Sequence, residues 1–353
     1  MISHTITDRD AGSRFNKYLT RLMPAAGSGF LYKMLRKKNI TLNKAKAEGS
    51  EILKEGDTVE IFFSEETYEK FRGRQIETVP LYSEHPVKPE SVVYEDNHVL
   101  IAYKPAGVLS QKDTSEGESI NEMILQYLID NGSVTAQTLK EFKPGICNRL
   151  DRNTPGLVLF GKTLPGGREL NRLLKERTLG KYYYAVVLGT FPKAIDSRLY
   201  LCKDTAANQV TVSDRPEGNQ YVSVHTEITA VRTGKDLSLV RVRLHTGKSH
   251  QIRSVLSYLG YPVLGDPKYI PEGSQYAVLN QKYRQLYHLR GQMLLAYAVH
   301  FPKIAEGVLQ NLSEKTFYAP LPKLFAEVAS CELAKGEELY AVMEIPGTSG
   351  IVL

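Results

Sequence analysis

The sequence predicts an α+β protein: a domain with a large mixed, mainly antiparallel sheet, and a small N-terminal α/β unit. Two observations predict it. From Glu90 onward, short runs alternating at period two are joined by hairpin-like turns, with helices between some of them. Regular strand–helix–strand repeats would instead indicate a parallel sheet. Before that point the charge pattern is of another kind. Ala11–Ala47 holds nine Lys or Arg and no acid, more than the whole formal charge of +6, so the basicity belongs to one module.

Taken in order, "RFNKYLTRLMP" carries Phe15, Leu19 and Leu22 at i, i+4 and i+7, an amphipathic helix stopped by Pro24. After a flexible "AAGSG", a second helix pairs Phe30 with Met34 and Leu31 with Leu35. "ITLN" and "DTVEIFF" read as short strands. Residues 65–89, with mixed charge, prolines and little periodicity, read as a linker. "VVYEDNHVLIAYKPAG" reads as a hairpin, and "INEMILQYLID" as a helix with Ile120, Ile124 and Leu128 on one face. "GLVLFGKT" is a short buried strand and "ELNRLLKER" a short helix. "KYYYAVVLG" alternates Tyr183, Ala185, Val187 against Tyr182, Tyr184, Val186, and "LSLVRVRLHTG" is a second alternating strand. "HQIRSVLSYLG" is a helix ended by Gly260, and "QMLLAYAVHF", apolar on both faces, is a central strand.

Several classes of protein are excluded by what is missing. Cys147, Cys202 and Cys331 lie far apart with no CxxC or Cys/His spacing, which fits a reducing cytoplasm and no structural metal. The "MISHTITDRD" terminus lacks an apolar core, and no run approaches 18 apolar residues, so neither secretion nor a membrane is expected. There is no GxxxxGK[ST], no GxGxxG after a strand and no HExxH. What remains is one carboxylate, Asp151, between Arg149 and Arg152 at the mouth of a buried strand, a tyrosine-rich strand, and "TGKSHQIR". For a lone Arg-x-Asp-Arg string the ordinary explanation is a surface salt bridge.

Those three stretches, in that order, resemble the RluA-type pseudouridine synthases. "NRLDRNTPGLVLFGK" resembles the nucleophile block, "KYYYAVVLG" the block after it, and "LHTGKSHQIR…GYPVLGDPKY" the third; "YEDNHVLIAYKPAG" and "APLP" match as well. The segment "RFNKYL…LYKMLRKKNITLNKAKA…LKEGDTVEI" is similar to the S4-like RNA-binding domain. The resemblance thus implies residues 1–64 as an S4-like domain, 65–89 as linker, 90–330 as the catalytic domain and 331–353 as a C-terminal extension.

The resemblance further implies an isomerase that converts specific uridines of structured RNA to pseudouridine, most nearly those acting on 23S ribosomal RNA, with no cofactor or metal. The partner would be RNA, with no membrane, and the protein a cytoplasmic monomer. Asp151 takes the nucleophile's place, Arg253 the basic neighbour that keeps it ionised, and Tyr183 the active-site tyrosine. Leu294 is placed against the base; Arg149, Arg152, Lys248, His250 and Gln251 along the substrate groove; Arg14, Lys17, Lys33, Arg36, Lys37 and Lys38 on RNA phosphates. Asn148 stands where the family commonly has histidine, Pro155 where it has serine, and Lys248 where it has arginine. A transfer-RNA substrate, or a catalytically idle RNA-binding or ribosome-assembly factor, are the alternatives.

Overall fold

A computed structural model describes residues 2–7, 10–72, 81–112, 118–204, 209–333, 343 and 350–351. The first 72 residues build β1 (Ile2–Thr5), α1 (Phe15–Leu22), α2 (Ser28–Arg36), β2 (Ile40–Leu42), β3 (Ala45–Lys46), β4 (Thr58–Ile61) and α3 (Glu65–Arg72). The four strands form their own sheet in the order β1-β4-β2-β3. The apolar stripes found in the sequence close its core: Phe15 and Leu19 of α1 and Leu31 and Leu35 of α2 meet Ile40, Val59 and Ile61 of the sheet. α2 starts at Ser28, inside the stretch expected to be flexible.

The expectation for residues 65–72 is corrected. They form α3, which buries Tyr68 and sets the Phe71 ring 4.4 Å from Phe30. Its signal lay in charge rather than periodicity: Glu65 and Glu66 occupy the first turn and Lys70 and Arg72 the last, each opposing the helix dipole. The remainder of the expected linker includes residues 73–80, which lie outside the described ones, as does most of the expected C-terminal extension.

The second sheet takes in β5 (Val92–Glu95), β6 (Val99–Lys104), β7 (Gly145–Ile146), β8 (Gly156–Gly161), β9 (Gly180–Leu188), β10 (Ala194–Asp204), β11 (Gln209–Ser213), β12 (Val222–Thr233), β13 (Leu237–Leu244), β14 (Leu294–His300), β15 (Thr316–Tyr318) and β16 (Gly350–Ile351). Its main path runs β11-β10-β12-β13-β9-β14-β8-β6-β5; β8 and β14 are parallel, as are β15 and β16, and the other pairs antiparallel. This is the α+β architecture expected.

Helices cover both faces. α4 (Ile120–Asp130), α5 (Ala136–Glu141), α6 (Leu164–Glu176), α7 (Gln251–Tyr258), α8 (Gln275–Leu286) and α9 (Lys323–Glu332) complete the set. Ile124 of α4 and Val255 of α7 pack on one face with Tyr183, Ala185 and Val187. Leu170 of α6, Tyr283 of α8 and Val328 of α9 pack on the other with Tyr184, Val186 and Leu188. The strict alternation of β9 is therefore buried twice over, which a two-layer packing requires of its central strand.

α6 begins at Leu164, earlier than "ELNRLLKER" suggests, capped by the Thr163 hydroxyl on Gly166 N–H. Gly166 disfavours a helix by propensity. A Cβ there would collide with the His98 carbonyl, so close packing against the β5–β6 turn decides in favour of glycine.

Candidate active site

Asp151 lies on the loop between β7 and β8, and this loop is fastened on every side. Ser110 Oγ donates to Leu150 O at 2.7 Å and accepts from Leu150 N at 2.8 Å. Arg152 Nε donates to Gly107 O at 2.9 Å, while Arg152 O accepts from Gly107 N at 2.9 Å and from Lys104 Nζ at 3.0 Å. Gln292 Nε2 donates to Thr154 Oγ1 at 3.0 Å. Asn148, the departure from the family's histidine, braces β8: its Oδ1 accepts from Leu159 N at 2.7 Å. Pro155, the second departure, keeps its carbonyl in use, which accepts from Ala296 N at 2.9 Å.

Arg253 stands in the first turn of α7 with its side chain 5% exposed. One guanidinium serves two carboxylates. Nη1 donates to Asp151 Oδ2 at 2.8 Å; Nε and Nη2 donate to Asp266 Oδ2 and Oδ1 at 2.6 and 2.9 Å. The bidentate Asp266 pair fixes the plane of the fork, which a lysine could not reproduce, and aims the remaining N–H at Asp151. The two carboxylates hold the guanidinium firmly charged, against the cost of burial. Asp151, 24% exposed, is open enough to meet a ligand.

His250 takes a left-handed backbone, φ 54°, immediately before α7. Its Nδ1 is 2.8 Å from Tyr269 Oη and its Nε2 4.0 Å from Asp151 Oδ1. Burial lowers its pKa, so at neutral pH the ring is uncharged. Burial, and next the charge of Asp151, push the Tyr183 phenol upward, so it keeps its proton. Burial also pulls Lys104 down to about 7, against the opposing pull of Asp151. Its Nζ is enclosed by the carbonyls of Pro105, Val108 and Arg152 at 2.8–3.0 Å.

Asp151, Tyr183, Arg253, Leu294, Arg149, Arg152, Lys248, His250 and Gln251 all line one cavity of about 610 Å³. Among the described residues, seven Lys or Arg side chains line it (Lys112, Arg149, Arg152, Lys181, Lys203, Lys248, Arg253) against one carboxylate, Asp151. Such a cavity attracts a polyanion. Within that set the structure separates roles. Arg149 and Lys248 are exposed on the rim. Gln251 is spent internally: its Oε1 accepts from Thr246 Oγ1 and Lys248 N, and its Nε2 donates to His225 O and Thr226 Oγ1. Arg14, Lys17, Lys33, Arg36, Lys37 and Lys38 are all exposed on the small unit, with no carboxylate partner among the described residues.

Asp266, Lys104 and Tyr269, which bond Arg253, the Asp151 loop and His250, are not among the residues singled out from the sequence, although "GDPKY" and "YKPAG" belong to the matching stretches. One group could suggest a metal: His225, Glu227 and His245, with ligand atoms within 4.8 Å of one another. The two imidazoles stack at 4.1 Å and 7°, so their in-plane lone pairs run parallel and do not converge on an ion. They also lie on the face of the sheet opposite Tyr183, since Ile228 pairs with Val242 and Val242 with Tyr183.

Solved structures share this architecture. Human RNA pseudouridylate synthase domain containing 4 superposes with a TM-score of 0.51 over 68% of this chain and 92% of its own, at 17% identity, a likeness of fold. Residues 98–258 match the family described as RNA pseudouridylate synthase. Ribosomal large subunit pseudouridine synthase C of Rickettsia typhi is 30% identical over 262 residues, covering 72% of this chain and 82% of that protein. An uncharacterised RNA pseudouridine synthase of Mycoplasma pneumoniae is 29% identical over 320 residues, covering 89% and 94%. The chain therefore belongs to the RluA-type RNA pseudouridine synthases, isomerases acting on RNA.

Proposed function

We propose that this enzyme isomerises specific uridines of large-subunit ribosomal RNA in the cytoplasm, as a monomer and without cofactor, with Asp151 as nucleophile. The observation that carries the reading is the Asp151 carboxylate, partly open and held at 2.8 Å by Arg253, as the one acid among the described residues of a basic cavity. The ribosomal RNA class is supported by the names of the Rickettsia relatives and by the unpaired basic residues of the small, S4-like unit. Among the described residues, no helix is long and apolar enough to cross a membrane.

In this reading the target nucleotide leaves its stack, at a cost of about a few kcal/mol, which contacts of Lys248 and Arg149 with phosphates offset. Asp151 then supplies the electron pair that takes up the sugar as the N1–C1′ bond breaks. The freed uracil turns over against Leu294 and Tyr183, and C5 bonds to C1′ as Asp151 leaves. The C5 proton is lost and N1 gains one, so no atom is added or removed overall. Tyr183, protonated throughout, serves as a relay for that transfer, and Arg253 holds the Asp151 carboxylate in place through its hydrogen bond.

A pseudouridine map of ribosomal and transfer RNA from cells lacking this gene, complemented with wild type or Asp151→Ala, tests the reading. Defined ribosomal sites should vanish, return with wild type and stay absent with the variant. Loss confined to transfer RNA would move the substrate class. No change at any site would leave an RNA-binding or assembly factor without catalysis.

A further inference from the structure

A second concavity, about 780 Å³, lies between α8 and the loop that follows Asp266. It shares a wall with the active site, because Asp266 lines it and also clamps Arg253. Its other end is Arg290, whose neighbours Gly291 and Gln292 abut the Asp151 loop. A Cβ at Gly291 would stand 2.9 Å from Asn153 Cβ, and Gln292 bonds Thr154. The concavity therefore flanks the loop that carries Asp151.

Its charge is one-sided. Lys268, Arg284, His288 and Arg290 line it and are exposed, whereas its acids are Glu272 and the fully buried, Arg253-bound Asp266. Two surface cations of the same domain do find carboxylates: Arg172 reaches Glu169 and Glu176, and Lys282, on the same helix as Arg284, reaches Asp236. Among the described residues, Arg284 and Arg290 have none. Two guanidiniums without a carboxylate partner among the described residues, together with the Gln281 and Gln285 side chains, line it with planar donors suited to phosphodiester oxygens.

We propose that this concavity binds the backbone of the substrate RNA beside the nucleotide that enters the Asp151 cavity. The proposal rests on the reading of that cavity as the place of reaction. It assigns α8 a role in binding: Arg284 and Arg290 grip phosphates on the flank of the target.

The test compares the full chain with its Arg284→Gln/Arg290→Gln double variant on unmodified large-subunit ribosomal RNA transcribed in vitro. Binding is titrated over a range of salt, and single-turnover pseudouridine formation is followed at saturating RNA. Removing one cation that neutralises a phosphate lowers the slope of log affinity against log salt by roughly 0.7–0.9. The double variant should show a slope smaller by about 1.5 and binding about tenfold weaker at low salt, with an unchanged saturating rate. Unchanged slope and affinity would overturn the proposal and leave α8 as a surface for another partner. A lower saturating rate with unchanged binding would overturn it too, by placing the arginines in support of the Asp151 loop. Failure of the wild type to modify this RNA would instead sink the functional reading, since the slope comparison needs no turnover.

Discussion

Arg253 is the residue on which the site turns, because one guanidinium answers two carboxylates. Arg253→Lys keeps the charge but cannot hold Asp266 with two bonds and reach Asp151 with a third. We expect a loss of kcat of at least about 100-fold, from misplacement of Asp151, with RNA affinity changed little. Single-turnover rates and filter binding on the same RNA would separate the two, and an equal loss in both would contradict this account. Asp266→Asn leaves Arg253 short of one buried counter-charge and should cost about 3–5 kcal/mol in stability, read from urea midpoints.

Lys104 makes a prediction about pH. Burial lowers its pKa to about 7, below the ordinary 10.5 of the unfolded chain. Between those values the unfolded chain holds a proton that the folded chain has released, so the Lys104 contribution to stability rises with pH across that window. Lys104→Met removes the titration, together with three bonds to carbonyls. The deficit of the variant relative to wild type should therefore widen from about pH 7 to about pH 9, and a constant deficit would count against the depressed pKa.

At the scale of elements, the site is a product of strand ends and one helix start. β8 leaves the Asp151 loop through Gly156, whose φ of 132° and close approach to β14 admit no side chain: a Cβ would stand 2.6 Å from Ala296 Cβ. Gly156→Ala should therefore force β8 from β14 and lower stability by more than ~3 kcal/mol, adding strain to a steric clash. Thermal unfolding would show it, and a variant within ~1 kcal/mol of wild type would mean the two strands separate easily. The elements that periodicity identified are those with a buried stripe: α1, α2, α4, α7, β9, β13 and β14. Those it missed have weaker signals. β10 and β12 form long, largely polar ribbons, half-buried or exposed along one side. α8 buries only Asn280 and Tyr283 fully, and α3 only Tyr68.

The whole molecule divides its charge between two surfaces. The small unit presents Lys33, Arg36, Lys37 and Lys38 to solvent, and the catalytic sheet presents the basic cavity around Asp151. If the small unit serves as a phosphate anchor, replacing those four by Gln should weaken RNA binding and reduce the salt slope by up to about 3. The saturating single-turnover rate should hold, and a fall in that rate with an unaltered slope would make the unit a part of the active site instead. The two units touch through Arg168 of α6, which donates to the Ala11 carbonyl.

By itself the sequence determined the class of fold, the central strands and the basic module, because each rests on a local pattern: alternation, a helical stripe or a charge run. It offered Asp151, Tyr183 and Arg253 as candidates through ordered blocks that resemble a family. Tertiary structure decided what no window of sequence contains. It placed Asp151 and Arg253, 102 positions apart, within one hydrogen bond, brought Asp266 in as the clamp, and turned Gln251 inward. Pair distances of this kind depend on strand register and helix docking, which are settled only when the two cores close around the sheet.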